Sequence, residues 1–227
     1  MKSIILLSAG LDSLVCLGLK KNSINLALTF DYGQKSAKKE IESSKKLCEY
    51  YNITHKVIKL DFLKEITNTS LVSKKTIPKM DIESLDKEEI CKDSAKSVWV
   101  PNRNGLFLNV AASFCDSLGY DEIIIGANSE EAKTFSDNSK DFIESINETL
   151  KYSTQVHPTV VAPLINLNKN DIVKLALENS IPLNLVHSCY VSNGKNCGKC
   201  ESCQRLKRAL SENECYTLIK EIFEDEN

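Results

Sequence analysis

Ile4-Ile5-Leu6-Leu7-Ser8-Ala9-Gly10-Leu11-Asp12-Ser13 is the stretch whose reading decides the fold. An apolar run of strand length ends in a turn of small residues, and Leu14-Val15-Cys16-Leu17-Gly18-Leu19 continues as a helix. A buried strand feeding a helix N-terminus makes an anion site. The first-turn N–H groups lack partners, and the helix dipole adds partial positive charge. Gly10 is expected to supply positive φ and close backbone approach, and Ser8 and Ser13 to donate hydroxyl hydrogen bonds. Asp12 would repel a bare anion, yet it fits where a divalent cation accompanies phosphates. That combination indicates a nucleotide; the alternative is a strand-to-helix turn with no ligand.

With 227 residues the chain has room for one α/β domain and a small appendage. A formal net charge of -2 and a pI near 6.0 provide no global field toward nucleic acid, so none is expected as a partner. A local basic strip, Lys199, Arg205, Lys207 and Arg208, could still touch phosphate. Nine cysteines without a leader indicate a reducing, cytoplasmic setting and a metal site in preference to disulfides. Met1-Lys2-Ser3 before an apolar run imitates a signal peptide, but the run is short and meets Asp12. No stretch approaches the roughly 18 to 20 apolar residues of a membrane span.

The remaining chain alternates strands and helices. Strands are expected at 25–30, at 54–60 nearer the sheet edge, at 121–128 and at 160–164. Helices are expected at 36–51, 105–118 and 140–152, and one opens at 168–172 with Asn168 as its N-cap. Such order predicts a doubly wound, mostly parallel five-stranded sheet. His55 is read as a residue of a surface strand. Between 64 and 97 polar residues dominate and apolar periodicity fades, so this segment is expected to be a lid, an insertion loop or a mobile decoration.

Polar groups gather at the carboxyl ends of the strands, where open parallel sheets bind ligands. Asp31-Tyr32-Gly33-Gln34 follows the second strand and Gly126 the fourth. The polar strip Glu130, Glu131 and 134–139 comes next, where a substrate should lie. Val98-Trp99-Val100-Pro101-Asn102-Arg103-Asn104 holds the only Trp, and Asn104 is expected to cap the next helix. Arg103 and Lys169 both stand at helix starts, against the dipole, which implies an anionic partner such as phosphate or carboxylate.

Cys189, followed by seven residues and then Cys197, Cys200 and Cys203, could close a tetrahedral Zn²⁺ site; an iron–sulfur cluster is the rival. His187 could replace one thiolate, although a supporting or surface role suits it better. Cys16, Cys48, Cys91, Cys115 and Cys215 read as small buried hydrophobes.

No Walker A pattern occurs. S-x-G-x-D-S at Ser8–Ser13 resembles the PP-loop of the ATP pyrophosphatases, S-G-G-x-D-S, with Ala9 for the first glycine. Taken with Phe30–Gln34, Val100–Asn104 and the four cysteines in one order, residues 3–210 resemble the 7-cyano-7-deazaguanine synthases of the queuosine and archaeosine pathways. One segment departs: Phe135-Ser136-Asp137-Asn138-Ser139 stands where many members carry G-Y-P-D-C-R.

The resemblance implies a PP-loop domain at 1–185, a zinc-binding segment and helix at 186–227, and ligation of Zn²⁺ by Cys189, Cys197, Cys200 and Cys203. It implies ATP-binding by Leu7, Ser8, Ala9, Gly10, Leu11, Asp12, Ser13, Leu14, Val15, Cys16 and Leu17, by Asp31, Tyr32, Gly33 and Gln34, and by Gly126. Asp12, Arg103 and Lys169 would be catalytic, with Mg²⁺, and Asn102, Asn104 and Asp137 would contact substrate. The implied reaction is ATP-dependent conversion of 7-carboxy-7-deazaguanine and ammonia into a nitrile; a homodimer is compatible with it. Other readings are a PP-loop tRNA thiolase, an amidating ligase such as NAD synthetase, a non-catalytic zinc module, or a defence protein attaching a deazaguanine to a partner protein.

Overall fold

The opening apolar run becomes β1 (Ser3–Leu6), the central strand of a parallel sheet in a computed structural model that describes residues 1–191 and 194–225. There follow α1 (Leu11–Lys20), β2 (Ile24–Asp31), α2 (Ala37–Tyr51), β3 (Thr54–Lys59) and α3 (Asp61–Ile66). Next come α4 (Glu88–Val98), α5 (Arg103–Leu118), β4 (Glu122–Ile124), α6 (Ser129–Ala132), α7 (Lys140–Ser153) and β5 (Thr159–Val161). The last elements are α8 (Lys169–Glu178), α9 (Glu201–Glu212) and α10 (Tyr216–Ile222).

Among the described residues the sheet has five strands in the order β3-β2-β1-β4-β5, and every pairing is parallel. β1 and β4 are buried throughout, with Ile4, Ile5, Ile123 and Ile124 sealed from solvent, as a sheet covered by helices requires. β3 lies at the edge and alternates between exposed and half-buried positions. Strand order reverses beside β1, since β2 lies on one side and β4 on the other. In such sheets the crevice at that reversal is where ligands bind.

Several elements differ from the sequence reading. β4 stops at Ile124 and β5 at Val161, because pairing with β1 ends at Ile5 and the following backbone turns into loops. α5 begins at Arg103, so Asn104 lies inside its first turn and is not the cap. Asn102 takes the cap position with φ 50°, a left-handed conformation that Asn tolerates better than most residues. The 64–97 segment holds the end of α3, a short turn at Ile82–Ser84 and nearly all of α4. The buried face of α4 is made of Cys91, Ser94, Ala95 and Val98, which leaves only a weak apolar period in the sequence.

This segment docks on the C-terminal region. The backbone N–H of Met80 donates to the Lys199 carbonyl (2.9 Å), and Ser94 Oγ donates to Glu201 Oε2 (2.5 Å). Asn168 does cap α8, with a reciprocal box to Asp171. His55, as expected, sits on β3, with Nε2 2.8 Å from Thr29 Oγ1.

α1 packs so closely on the turn after α8 that a Cβ at Gly18 would lie 2.6 Å from Ile181 Cγ1. Gly18→Ala should therefore destabilise the fold by about 1–3 kcal/mol through overpacking. Urea unfolding would measure this, and a midpoint equal to wild type would show that Ile181 yields freely.

Candidate active site

At the carboxyl end of β1 the chain turns through Leu7 to Gly10 into α1, whose N-terminus has no side-chain cap. First-turn N–H groups beyond Leu11 can then serve a ligand. The residue with positive φ is Ala9 (62°), not Gly10, whose φ is -65°. Left-handed backbone costs a non-glycine residue roughly 1–2 kcal/mol, so the turn is over-determined by its surroundings. The Ala9 carbonyl accepts from the His187 N–H (2.8 Å), and Ser13 Oγ donates to the Gly10 carbonyl (3.1 Å). Leu11 N–H reaches Ser188 Oγ at 3.3 Å. Gly126, beyond β4, closes the other side: a Cβ there would meet Ser13 N at 2.8 Å and Asp12 C at 2.9 Å.

These loops surround a cavity of about 220 Å³ with an unusual charge content. Lys169, at the first position of α8, places Nζ 2.6 Å from Asp12 Oδ2 and 2.6 Å from Glu131 Oε1. Burial works against its ammonium, but Asp12 and Glu131 outweigh it and hold the pKa above the usual lysine range. Burial lifts the Asp12 carboxyl to about 6, with Lys169 opposing and Glu131 adding to the rise. Asp12 Oδ1 is buried without a hydrogen-bond partner. An orphaned carboxylate oxygen beside an uncapped helix start suits a hard divalent cation carried with phosphates. Arg103, also on the wall, stays charged despite burial because the Tyr32 hydroxyl and Asp137 face it.

The sequence-predicted residues divide clearly. Leu7, Ser8, Gly10, Leu11, Asp12, Ser13, Tyr32, Arg103, Asn104, Gly126 and Lys169 line the cavity together. Leu14, Val15, Cys16 and Leu17 face the sealed core instead, as does the Ala9 side chain. Asp31, Gly33 and Gln34 shape the turn that presents Tyr32: Asp31 Oδ1 accepts from Gly33 N (3.1 Å), and Gln34 Oε1 from Tyr32 N (3.0 Å). Asn102 is exposed at the start of α5. Asp137 lies in an adjoining side cavity, its carbonyl accepting from Asn104 Nδ2 at 3.2 Å.

His187 is buried on the cavity wall, which rules out a surface position. The basic strip is largely committed to acids: Arg205 pairs with Glu201 (2.8 Å) and Glu130, and Arg208 with Glu130 (2.8 Å) and Asp86 (2.9 Å). Sequence reasoning placed Glu131 only in a polar strip near the substrate, without its Lys169 partner, and passed over Glu40, Ser188 and Tyr190, all on the wall. Glu40 looks like one more solvated glutamate of α2. It is taken in by Ser36 (2.6 Å) and Gln34 (2.9 Å), and burial raises its pKa.

Cys189, Cys197, Cys200 and Cys203 bring their four Sγ atoms within 4.8 Å of one another. A tetrahedral site with Zn–S bonds of about 2.3 Å needs sulfurs about 3.8 Å apart, so a small contraction would close it. The donor set is soft, three of the four are buried, and N–H groups of Val191, Cys197 and Lys199 point at the sulfurs (3.4–3.5 Å). Such a group can hold a metal ion, zinc included. His187 is not among the convergent ligands.

An open helix start after the first strand, facing a charged crevice at the sheet's reversal, defines a PP-loop protein. The chain belongs to the family described as "Queuosine biosynthesis protein QueC", which matches residues 2–214. It is 53% identical over 216 residues to a 7-cyano-7-deazaguanine synthase of Carboxydothermus hydrogenoformans, covering 93% of this chain and 99% of that one. Relatives of the same name share 49% over 216 residues in Methanosarcina mazei (92% and 94% covered) and 46% over 214 residues in Bdellovibrio bacteriovorus (92% and 93%).

The cysteine cluster shares the main hydrophobic core through Cys189, Cys200 and Cys203. Metal binding there would contribute folding energy. Cys200→Ala should lower bound metal and thermal midpoint together, the second by several degrees. Elemental analysis with a melting curve checks both, and unchanged metal content would remove Cys200 from the ligands.

Proposed function

We propose that this protein makes 7-cyano-7-deazaguanine from 7-carboxy-7-deazaguanine, ammonia and ATP. The observation that carries the proposal is the uncapped α1 start facing the Asp12–Lys169–Glu131 cluster and Arg103, in a member of this family. A carboxylate is a poor acyl donor because oxide or hydroxide must leave. Attack of the substrate carboxylate on the α-phosphorus of ATP expels pyrophosphate and gives an acyl-adenylate. Neutral ammonia then displaces AMP to form the amide. A second ATP adenylates the amide oxygen, releasing pyrophosphate and one amide proton, and loss of AMP and the second proton leaves C≡N.

Within this scheme the protein's task is positioning and charge neutralisation. The α1 N-terminus and the Ser8 and Ser13 hydroxyls would receive phosphate oxygens, with Arg103 and Lys169 balancing charge as pyrophosphate leaves. Mg²⁺ would neutralise the phosphates when bound, with Asp12 as its protein ligand. Zn²⁺ in the four-cysteine site would be structural, since four thiolates leave no open position for water or substrate. None of the nine cysteines is disulfide-bonded, which suits a cytoplasmic enzyme. Among the described residues no helix is long and apolar enough to cross a membrane.

Incubation with ATP, Mg²⁺, ammonium and 7-carboxy-7-deazaguanine should yield the nitrile, AMP and pyrophosphate, all dependent on the carboxylate. Mass analysis and nucleotide chromatography would read this; ADP and phosphate as the nucleotide products would defeat the scheme. Arg103→Ala should cost about 2–4 kcal/mol of transition-state stabilisation, as for other preorganised donors. Arg103→Lys should recover only part, because one ammonium cannot reproduce the guanidinium fork. Wild-type kcat/KM in the Ala variant would assign Arg103 no role in the chemistry.

A further inference from the structure

Beside the main cavity lies a smaller one of about 50 Å³, lined by Trp99, Phe135 and Asp137 and sharing Arg103, Glu131 and Asn138 with its neighbour. The rings of Trp99 and Phe135 are parallel within 7°, with centroids 6.4 Å apart. Carbon faces in van der Waals contact lie about 3.5–4.0 Å apart, so these rings do not cover one another fully and each keeps ring surface toward the cavity. By contrast, the Phe30–Phe107 pair in the main cavity is closed at 4.0 Å. Next to the parallel pair, Asp137 Oδ1 is buried without a hydrogen-bond partner. Asn104 holds the Asp137 backbone, and Arg103 faces its carboxylate. A flat aromatic surface beside an unsatisfied acceptor calls for a flat ligand with ring-edge donors.

Two flat rings enter the proposed reaction, and their edges differ. Adenine offers its exocyclic amine next to a ring nitrogen lone pair, which a carboxylate would repel. The pyrimidine edge of a deazaguanine offers a lactam N–H beside an exocyclic amine, two adjacent donors that match one carboxylate. Its 7-carboxyl lies on the five-membered ring at the far side. Holding the pyrimidine edge at Asp137 would turn that carboxyl away from it, back toward the main cavity. Resting on the reaction proposed above, we infer that Trp99 and Phe135 stack the deazaguanine ring while the Asp137 carboxylate, with its unpartnered Oδ1, accepts from its lactam N–H and amine. The 7-carboxyl then faces Arg103 and the α1 N-terminus. Adenine stays on the apolar wall of the main cavity, built by Leu6, Leu7 and Phe30.

Trp99 is the only tryptophan of the chain, so its fluorescence reports on this cavity directly. Titration with 7-cyano-7-deazaguanine or 7-carboxy-7-deazaguanine should quench it saturably, whereas ATP alone should not. Asp137→Asn and Phe135→Leu both preserve side-chain bulk. Each should weaken the deazaguanine titration about tenfold, on the scale of a lost bidentate or stacking contact, and raise KM for the base but not for ATP. Quenching by ATP and not by the base, or an Asp137→Asn effect on KM for ATP alone, would overturn the inference. Nitrile formation by wild type with unchanged Trp99 emission defeats the base site and leaves the reaction standing. Saturable quenching without nitrile formation supports the base site and defeats the reaction.

Discussion

A buried ammonium must be paired, and the pairing of Lys169 organises this molecule. Its Nζ joins Asp12 of α1 to Glu131 of α6, while its backbone N–H donates to Glu130 Oε2 at 3.1 Å. Glu130 also takes Arg205 and Arg208 from α9, and Arg205 passes the chain to Glu201, which holds Ser94 of α4. One connected set of charges thus runs from the PP-loop to the cysteine segment. Breaking a buried pair by removing one partner costs about 3–5 kcal/mol, because the remaining charge is left uncompensated. Such a network favours a single arrangement of α1, α6, α8 and α9 around the cavity.

The sheet supplies the frame on which that network acts. β1 and β4 are neighbours in space though far apart in sequence, and their carboxyl ends deliver the PP-loop and Gly126 to the same spot. The cysteine segment adds the third wall through His187, Ser188 and Tyr190. A metal held by the four cysteines would keep that wall in place without entering the chemistry. The insertion before α5 closes the arrangement by packing on the cysteine segment, with Met80 and Ser94 as its contacts.

Much of this could be read in advance, and the reasons are local. Glycine, small residues and Asp at a strand-to-helix junction have few uses other than phosphate, so the PP-loop was legible. Paired cysteine spacings reveal a cluster able to hold a metal because the members of a closed cluster lie close along the chain. Lys169 and Arg103 were conspicuous as cations at helix starts, where the dipole disfavours them. The expectation extended too far along α1: Leu14, Val15, Cys16 and Leu17 belong to the core, because only the first turn of a helix has unpaired N–H groups to offer a ligand. It also gave Gly10 the left-handed conformation that Ala9 adopts.

What the sequence determined by itself was therefore the kind of fold, the PP-loop and the cysteine cluster, each set by neighbouring residues and backbone preference. Tertiary structure alone decided which distant carboxylates meet Lys169. Glu131 and Glu130 differ in nothing local from the many solvated glutamates of the chain, and only the folded arrangement gives them partners. It also decided that Trp99 and Phe135 lie parallel beside Asp137, since a cavity wall is assembled from segments that no sequence spacing relates.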